Sequence, residues 1–233
     1  MHLTKALIAE FIGTFALIFI GAGAVVAVDP NNWVAIGLAH GFVIMVFAYA
    51  FGNESNSYVN PALTIGVVVA GEGRLSAAVP VFLAQIAGGI VGGLVLAAVY
   101  GANAPNHLGM TMINTDMTSI AGGLFLEFIG TFFLMTAVLN TALRGTAGNF
   151  APFAIGMTVA FCIMAFGPVT GASLNPARTL GPAIGTGVYT QVLAYSIVQI
   201  LGAIVAAILY RVVYARRIGD ETHPEVDERQ AAF

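Results

Sequence analysis

The sequence predicts an all-α polytopic membrane protein, with six transmembrane helices and two re-entrant half-helices arranged as an inverted repeat in a right-handed bundle. The first observation is composition: 58% of the 233 residues are hydrophobic, only 8% are charged, and the mean hydropathy is +0.91. A soluble domain carries about 25% charged residues, so most of this chain is expected to face lipid or other apolar helices. The second is a set of long apolar stretches. The third is the triplet Asn-Pro-Ala, which occurs at residues 60–62 and again at 175–177.

Six apolar stretches are long enough, or nearly long enough, for the about 20 residues that a membrane-spanning helix needs. They comprise residues 7–28, 33–51, 77–100, 119–143, 151–166 and 189–214, of which the fifth is the shortest. Two further apolar pieces, residues 60–70 and 175–183, are too short to cross a membrane. We therefore expect these two pieces to be re-entrant half-helices.

Each half-helix opens with Asn-Pro-Ala, which is a clear helix-start signal. Asn60 and Asn175 are expected N-caps, and the prolines that follow occupy the first helical position, where the missing N–H would have had no partner. A helix that begins inside a membrane presents free N–H groups and a positive dipole end. Irregular backbone at that depth is tolerated only where it is buried in protein or lines a wet cavity, so two such starts indicate a pore or a binding site.

The two halves of the chain match at three landmarks. The string Glu-Phe-Ile-Gly-Thr-Phe begins at Glu10 and again at Glu127, and the two Asn-Pro-Ala triplets follow 50 and 48 residues later. Gln85 and Gln199 then follow the triplets by 25 and 24 residues. Each half contains three spans, an odd number, so the halves are expected to be inverted relative to each other. The chain is interpreted as a single membrane channel domain, residues 1–233, with repeats at about 5–103 and 119–215.

Basic residues predict the orientation. With six spans both termini lie on one side, and that side receives every Lys and Arg except Arg178. The positive-inside rule then places both termini in the cytoplasm, and we expect a multi-pass protein of the plasma or inner cell membrane. Residues 218–233 are polar and acidic, which predicts a disordered cytoplasmic tail. The net charge of −3 suggests no nucleic-acid partner, and the single cysteine, Cys162, excludes an intramolecular disulfide and a Cys-rich metal site.

These features resemble the aquaporin (major intrinsic protein) family. The resemblance runs from Glu10 to Tyr214 and rests on the doubled Asn-Pro-Ala, on Arg178 directly after the second copy, and on the paired Glu-Phe-Ile-Gly-Thr-Phe strings. It implies a homotetramer with one pore per subunit, no catalysis and no cofactor. It also implies a narrow filter near the outer mouth, formed by His40, Ile163, Ala172 and Arg178. His and Ile at the first two positions resemble the plant vacuolar subgroup, and the short termini resemble prokaryotic members.

The expected pore has a centre and two walls. The centre comprises Asn60, Pro61, Ala62, Asn175, Pro176 and Ala177, with each asparagine NH₂ group facing the lumen as a donor. The walls include backbone carbonyls that accept hydrogen bonds from a solute: those of Asn56, Ser57, Tyr58 and Val59 on the inner side, and those of Gly171, Ala172, Ser173 and Leu174 on the outer side. Glu10 and Glu127 are expected to accept N–H groups from the re-entrant loop of their own half, in preference to forming a proton relay.

Some positions depart from the family pattern. Thr179 follows the filter arginine where glycerol-type members typically carry Asp, which favours water as the solute. Residues 55–58 read Ser-Asn-Ser-Tyr in place of the usual Ser-Gly-Gly/Ala-His. Ser196 stands where an aromatic residue is common on the last span. The last two departures bear on the width of the inner vestibule.

The sequence therefore predicts a passive water channel, driven by osmotic gradients, that excludes ions and protons and has water and lipid as its partners. The alternative is the same architecture serving ammonia, hydrogen peroxide, urea or glycerol, which His40 and Ile163 motivate. A more remote alternative is an ion-coupled secondary transporter, because inverted repeats are common there. Such a transporter needs ligands for its coupling ion near the discontinuous helices, and this chain offers only Glu10 and Glu127. A structural membrane protein with a closed pore is a further alternative.

Overall fold

The computed structural model describes residues 3–214, and it contains helices and no strands over that range. Six of these helices are long and apolar enough to cross a membrane, and two are shorter. In chain order the elements are α1 (Leu3–Ala27), α2 (Trp33–Ser55), the half-helix α3 (Pro61–Ala70), α4 (Leu75–Tyr100), α5 (Ile120–Leu143), α6 (Ala151–Thr170), the half-helix α7 (Pro176–Thr186) and α8 (Val192–Val213). The predicted tail, residues 218–233, lies outside the described residues.

The six spans and both half-helices of the sequence prediction are confirmed, and the differences lie at their ends. Helix α6 continues to Thr170, four residues past the predicted end, although it contains Pro168. The helix ends only at Gly171, which adopts a left-handed conformation (φ 81°). Helices α1 and α5 each contain a π-helical segment, Leu17–Ala22 and Val138–Leu143 respectively, which the sequence pattern did not indicate.

The starts of the half-helices follow the sequence prediction. The side-chain oxygen of Asn60 accepts a hydrogen bond from the Ala62 N–H at 2.9 Å. The side-chain oxygen of Asn175 accepts from Ala177 N–H at 2.9 Å and from Arg178 N–H at 3.3 Å. Each asparagine thus satisfies N–H groups that the helix itself leaves without an acceptor.

The two halves of the chain pack in equivalent ways. In the first half α1 packs on α4, and in the second half α5 packs on α8. The half-helices cross over: α3 packs on α8 of the other half, α7 packs on α4, and α2 packs on α6 across the centre. Glycines permit equivalent close approaches, since a Cβ at Gly88 would overlap the Phe11 carbonyl and a Cβ at Gly202 would overlap the Phe128 carbonyl. This equivalence agrees with the predicted inverted repeat.

Polarity is distributed as expected for a bundle in lipid. Large apolar side chains are exposed on the outer faces of the helices, for example Leu83 (61%) on α4 and Leu193 (73%) on α8. Polar side chains are instead buried in the interior, where Glu10, Gln85 and Glu127 have no exposed surface. Because water is scarce at that depth, each buried polar group requires a partner within the protein.

The two buried glutamates hold the loops that lead into the half-helices. The Glu10 carboxyl accepts hydrogen bonds from the N–H groups of Tyr58 (2.9 Å) and Val59 (2.7 Å), and from the Gln85 amide (2.8 Å). In the second half, Glu127 makes the equivalent set with its own loop. It accepts from the N–H groups of Ser173 (3.0 Å) and Leu174 (2.9 Å), the Gln199 amide (2.8 Å) and the Thr170 hydroxyl (2.7 Å). Each glutamate therefore bonds to the re-entrant loop of its own half, as expected from the sequence.

The variant Glu127→Gln tests this support. An amide keeps one acceptor oxygen and turns an NH₂ group towards donors that then have no acceptor, so we expect the free energy of unfolding to fall by about 1–3 kcal/mol. Thermal unfolding of the purified protein in detergent, followed by circular dichroism, measures the change. Glu54→Gln makes the same change at a half-buried carboxyl near the end of α2 and serves as the control. An identical unfolding temperature for Glu127→Gln and the wild type would show that the carboxyl is dispensable.

Candidate pore and selectivity filter

The two Asn-Pro-Ala segments meet in the middle of the bundle. The Asn60 side-chain NH₂ donates to the Leu174 carbonyl at 2.9 Å, and the Asn175 NH₂ donates to the Val59 carbonyl at 2.8 Å. Each asparagine thus joins its own half-helix to the loop of the opposite half. Pro61, Ala62, Pro176 and Ala177 are buried beside them.

This geometry corrects one expectation from the sequence. Each asparagine NH₂ was expected to face the lumen as a donor, and in the structure it donates instead to a carbonyl of the other half. The physical reason is that the carbonyls of Val59 and Leu174 also need donors at this depth. Each of these two carbonyls therefore already accepts one hydrogen bond from an asparagine of the other half.

The loops before the triplets have an unusual backbone. Asn56, Ser57 and Val59 have φ values of 57°, 48° and 44° in the first loop, and the second loop has Ala172 at 43° and Leu174 at 54°. This left-handed region is costly for residues other than glycine, so such conformations require support. The glutamates supply that support by binding N–H groups on one side of each loop, which leaves the other side of the backbone for the lumen.

Arg178 lies in the first turn of α7 and is only 2% exposed. Its Nη1 donates to the carbonyl oxygen of Gly109 at 2.8 Å. Its Nε has no hydrogen-bond partner within residues 3–214. A buried guanidinium in a membrane protein needs polar partners, and a free N–H beside a lumen is available to a solute.

The residue that holds Arg178 was missed by sequence reasoning. Gly109 ends a short turn, Pro105–Gly109, in which Asn106, His107 and Leu108 all adopt left-handed conformations. The Asn106 side chain donates to the Val25 carbonyl at 2.9 Å and so ties the turn to the end of α1. The dipeptide Pro-Asn and the later glycine are turn signals in the sequence, but they do not indicate which carbonyl the turn presents.

His40 lies on α2 and is 2% exposed. Its Nδ1 lies 2.9 Å from the Ile36 carbonyl, which makes Nδ1 the donor, while Nε2 has no partner within the described part of the chain. The Arg178 guanidinium is near enough for its charge to act on the imidazole. The structure therefore brings together two of the four predicted filter residues, each with an unused polar atom.

The other two predicted filter residues are also buried. Ile163 on α6 has no exposed surface, and Ala172 is 1% exposed and belongs to the same apolar cluster. The Ala172 N–H donates to the Thr170 hydroxyl at 3.0 Å. Both residues are therefore packed in the apolar interior of the bundle.

The structure also accounts for the positions that depart from the family pattern. Tyr58 is 5% exposed, and its hydroxyl accepts from the Asn56 amide at 3.2 Å. The Ser196 hydroxyl bonds its own helix at Val192 (2.8 Å). A fully buried aromatic ring on α8 belongs to the preceding residue, Tyr195, whose hydroxyl donates to the Thr170 carbonyl at 2.8 Å. Sequence reasoning missed Tyr195, since neighbouring positions on a predominantly apolar helix cannot be distinguished by pattern.

Comparison with known proteins identifies the family. The family model for the major intrinsic protein matches residues 1–210. The chain is 35% identical over 222 residues to "Probable aquaporin TIP2-2" of Oryza sativa subsp. japonica, a match that covers 90% of this chain and 87% of the relative. It is 37% identical over 241 residues to "Aquaporin AqpM" of Methanothermobacter marburgensis, covering 91% and 98% of the two chains. It is 38% identical over 213 residues to "Glycerol uptake facilitator protein-like 6" of Lactiplantibacillus plantarum, covering 88% and 96%.

A solved structure has the same fold. The aquaglyceroporin from Plasmodium falciparum superposes with a TM-score of 0.77 at 25% identity, and the match covers 91% of this chain and 96% of that chain. The six long helices, the paired half-helices and these relatives agree, and the chain belongs to the major intrinsic protein family of membrane channels.

Proposed function

We propose that the protein is a passive water channel, driven by osmotic gradients, that refuses ions and protons. The observation that carries the proposal is the meeting of two half-helix N-termini, joined by Asn60 and Asn175 and followed on one side by Arg178. The names of two relatives, an aquaporin from rice and one from an archaeon, support water as the solute. Catalysis and a cofactor have no part in this function.

Electrostatic repulsion excludes cations at the pore centre. Two helix N-termini carry partial positive charge, and the remaining N–H of each asparagine orients a passing water by its oxygen. A water held in this way donates its hydrogens outwards, to the carbonyls of the flanking loops. A cation meets positive potential at the centre and again at Arg178, and it would lose its hydration shell without replacement.

Neutral molecules are sorted at the outer filter of His40, Ile163, Ala172 and Arg178. With Nδ1–H bonded to Ile36, the neutral imidazole offers Nε2 as an acceptor, and Arg178 offers Nε–H as a donor. One water molecule can use both atoms at once, while Ile163 and Ala172 form an apolar wall. The His and Ile positions resemble the plant vacuolar subgroup.

The rest of the pore is a ladder of backbone carbonyls. We infer that those of Asn56, Ser57, Tyr58 and Val59 on the inner side, and of Gly171, Ala172, Ser173 and Leu174 on the outer side, receive water one hydrogen bond at a time. Val59 and Leu174 contribute one lone pair each, because the asparagines use the other. Carbonyl acceptors on one wall and apolar side chains on the other replace bulk hydration for a neutral solute.

The remaining features of the proposal concern placement. Residues 1–233 form one channel domain, with repeats at about 5–103 and 119–215, that functions as a homotetramer with one pore per subunit. The protein lies in the plasma or inner cell membrane with both termini on the cytoplasmic side, which the distribution of Lys and Arg supports. The partners are water and the lipid bilayer.

A second candidate is the same pore passing other small neutral solutes: ammonia, hydrogen peroxide, urea or glycerol. The apolar Ile163 in the filter favours it, as does the name of the glycerol uptake facilitator relative. Thr179, directly after Arg178, favours water over glycerol.

Osmotic shrinkage of proteoliposomes tests the proposed function. We expect vesicles that contain the protein to shrink much faster than empty vesicles after a sucrose step, measured by stopped-flow light scattering. Parallel uptake of ammonia, urea and glycerol ranks the solutes. Water flux equal to that of empty liposomes would overturn the proposal, and flux that depends on a proton or sodium gradient would indicate a coupled transporter instead.

The variant His40→Phe tests the filter. A phenyl ring is larger than imidazole and has no acceptor nitrogen, so we expect glycerol and urea uptake to fall more than water flux. The same proteoliposomes give all three rates, so their ratios are independent of the amount of protein inserted. An equal loss for every solute would show that His40 does not select by size.

The variant Arg178→Val tests ion refusal at the filter. Removing the positive charge lowers the electrostatic barrier, so we expect a measurable cation leak in proteoliposomes loaded with an ion-sensitive dye. Arg211→Val, which removes an exposed arginine at the end of α8, is the matched control and is expected to leave the membrane tight. Unchanged cation exclusion in Arg178→Val would assign that duty to the asparagine pair alone.

A further inference from the structure

The π-helical segment of α1, Leu17–Ala22, lies directly behind the filter. A π-helical turn widens the helix locally, and such turns are frequent at functional sites. Gly21, at the end of this segment, contacts His40. Ala22 and Val25 contact Gly109 and Asn106, which belong to the turn that holds Arg178. None of the three α1 residues carries a polar side chain, so no sequence motif marks them as functional.

Gly21 is the surface on which the His40 ring rests. A Cβ added to Gly21 would lie 2.6 Å from Cδ2, 2.8 Å from Nε2 and 2.9 Å from Cγ of that ring. Three nearly equal distances to consecutive ring atoms mean that the carbon would sit over the face of the imidazole. All are far inside van der Waals contact, so any side chain at Gly21 must displace the ring away from α1. The Nδ1 bond to Ile36 anchors the ring on its other side.

The next residues fix the turn that holds Arg178. Gly109 packs on the backbone of Ala22 so closely that a Cβ there would lie 2.5 Å from the Ala22 carbonyl oxygen. Three residues further on, the Val25 carbonyl accepts the Asn106 side chain at 2.9 Å. The Gly109 carbonyl then accepts Arg178 Nη1 at 2.8 Å. Helix α1 therefore positions the Arg178 guanidinium indirectly, because two contacts with α1 hold the turn whose Gly109 carbonyl binds it.

We propose that residues 21–25 of α1 position the filter, and that Gly21 and Asn106 determine solute specificity without touching the solute. Gly21 sets how far His40 projects, and Asn106 sets how firmly Gly109 holds Arg178. The inference rests on the proposed function, since it requires His40 and Arg178 to form the selective constriction. It predicts effects of opposite sign at the two residues, which general damage to the protein would not produce.

The first arm of the test is Gly21→Ala, measured alone and in a His40→Ala background. We expect the ratio of urea to water permeability in proteoliposomes to fall about tenfold in the wild-type background. In the His40→Ala background the ring is absent, and the same substitution is expected to leave the ratio unchanged. Gly52→Ala, where an added Cβ meets nothing within 4 Å, is the control. Where the wild type passes only water, the water flux itself is the quantity expected to fall.

The second arm is Asn106→Asp, on the outer surface, where a substitution is not expected to prevent folding. Asp tolerates the left-handed conformation as Asn does, but it cannot donate to the Val25 carbonyl. We expect a loosened Arg178 and a rise in the urea-to-water ratio of about threefold. Asn103→Asp adds the same charge to the same loop and is the matched control.

The outcomes separate this inference from the proposed function. A functional wild type in which Gly21→Ala has the same effect with and without His40, or in which both arms change the ratio in the same direction, overturns the positioning role alone. A wild type that conducts none of the solutes overturns the proposed function and this inference together. If Gly21→Ala does not fold, the Asn106 arm decides, and equal ratios for Asn106→Asp and Asn103→Asp overturn the inference.

Discussion

The structure depends on a supply of acceptors for backbone N–H groups in the middle of the bundle. Two helices begin where water is scarce, and each start leaves N–H groups that must be bonded within the protein. Asn60 and Asn175 cap the helices, and Glu10 and Glu127 hold the loops before them. Because the glutamates occupy the N–H side of each loop, the carbonyl side can serve a solute. A buried acid in each half is thus a condition for the pore.

The central residues of the bundle are repeated in the two halves, whereas the predicted filter residues are not. The asparagines, glutamates and glutamines occur in both halves and make equivalent hydrogen bonds. The filter does not repeat: the residue after the first Asn-Pro-Ala is Leu63, where the second copy has Arg178. The support of Arg178 is equally specific to one end of the molecule, since it comes from the turn at Gly109. In the proposed channel, the duplicated centre excludes ions and the unrepeated outer mouth distinguishes neutral molecules.

The sequence predicted the elements well, because their signals are local. Apolar length gave the six spans, Asn-Pro gave the two helix starts, and the repeated glutamates gave the loop supports. Two of the missed features depend on residues distant in the chain. The link between Asn175 and Val59 joins positions 116 residues apart, and Gly109 meets Arg178 across 69 residues. The π-helical segments and the choice of Tyr195 over Ser196 have no local pattern that distinguishes them from the rest of their helices.

The crossed packing of the half-helices has a consequence for biosynthesis. The N–H groups of Tyr58 and Val59 donate to Glu10 on α1, which is synthesised before them, so these hydrogen bonds can form early during translation. The neighbour on which that half-helix packs, α8, is the last of the described helices to be synthesised. Until then its outer surface needs a temporary neighbour, which the insertion machinery or lipid must supply. The contacts at the centre of the bundle can therefore be completed only after α8 has been made.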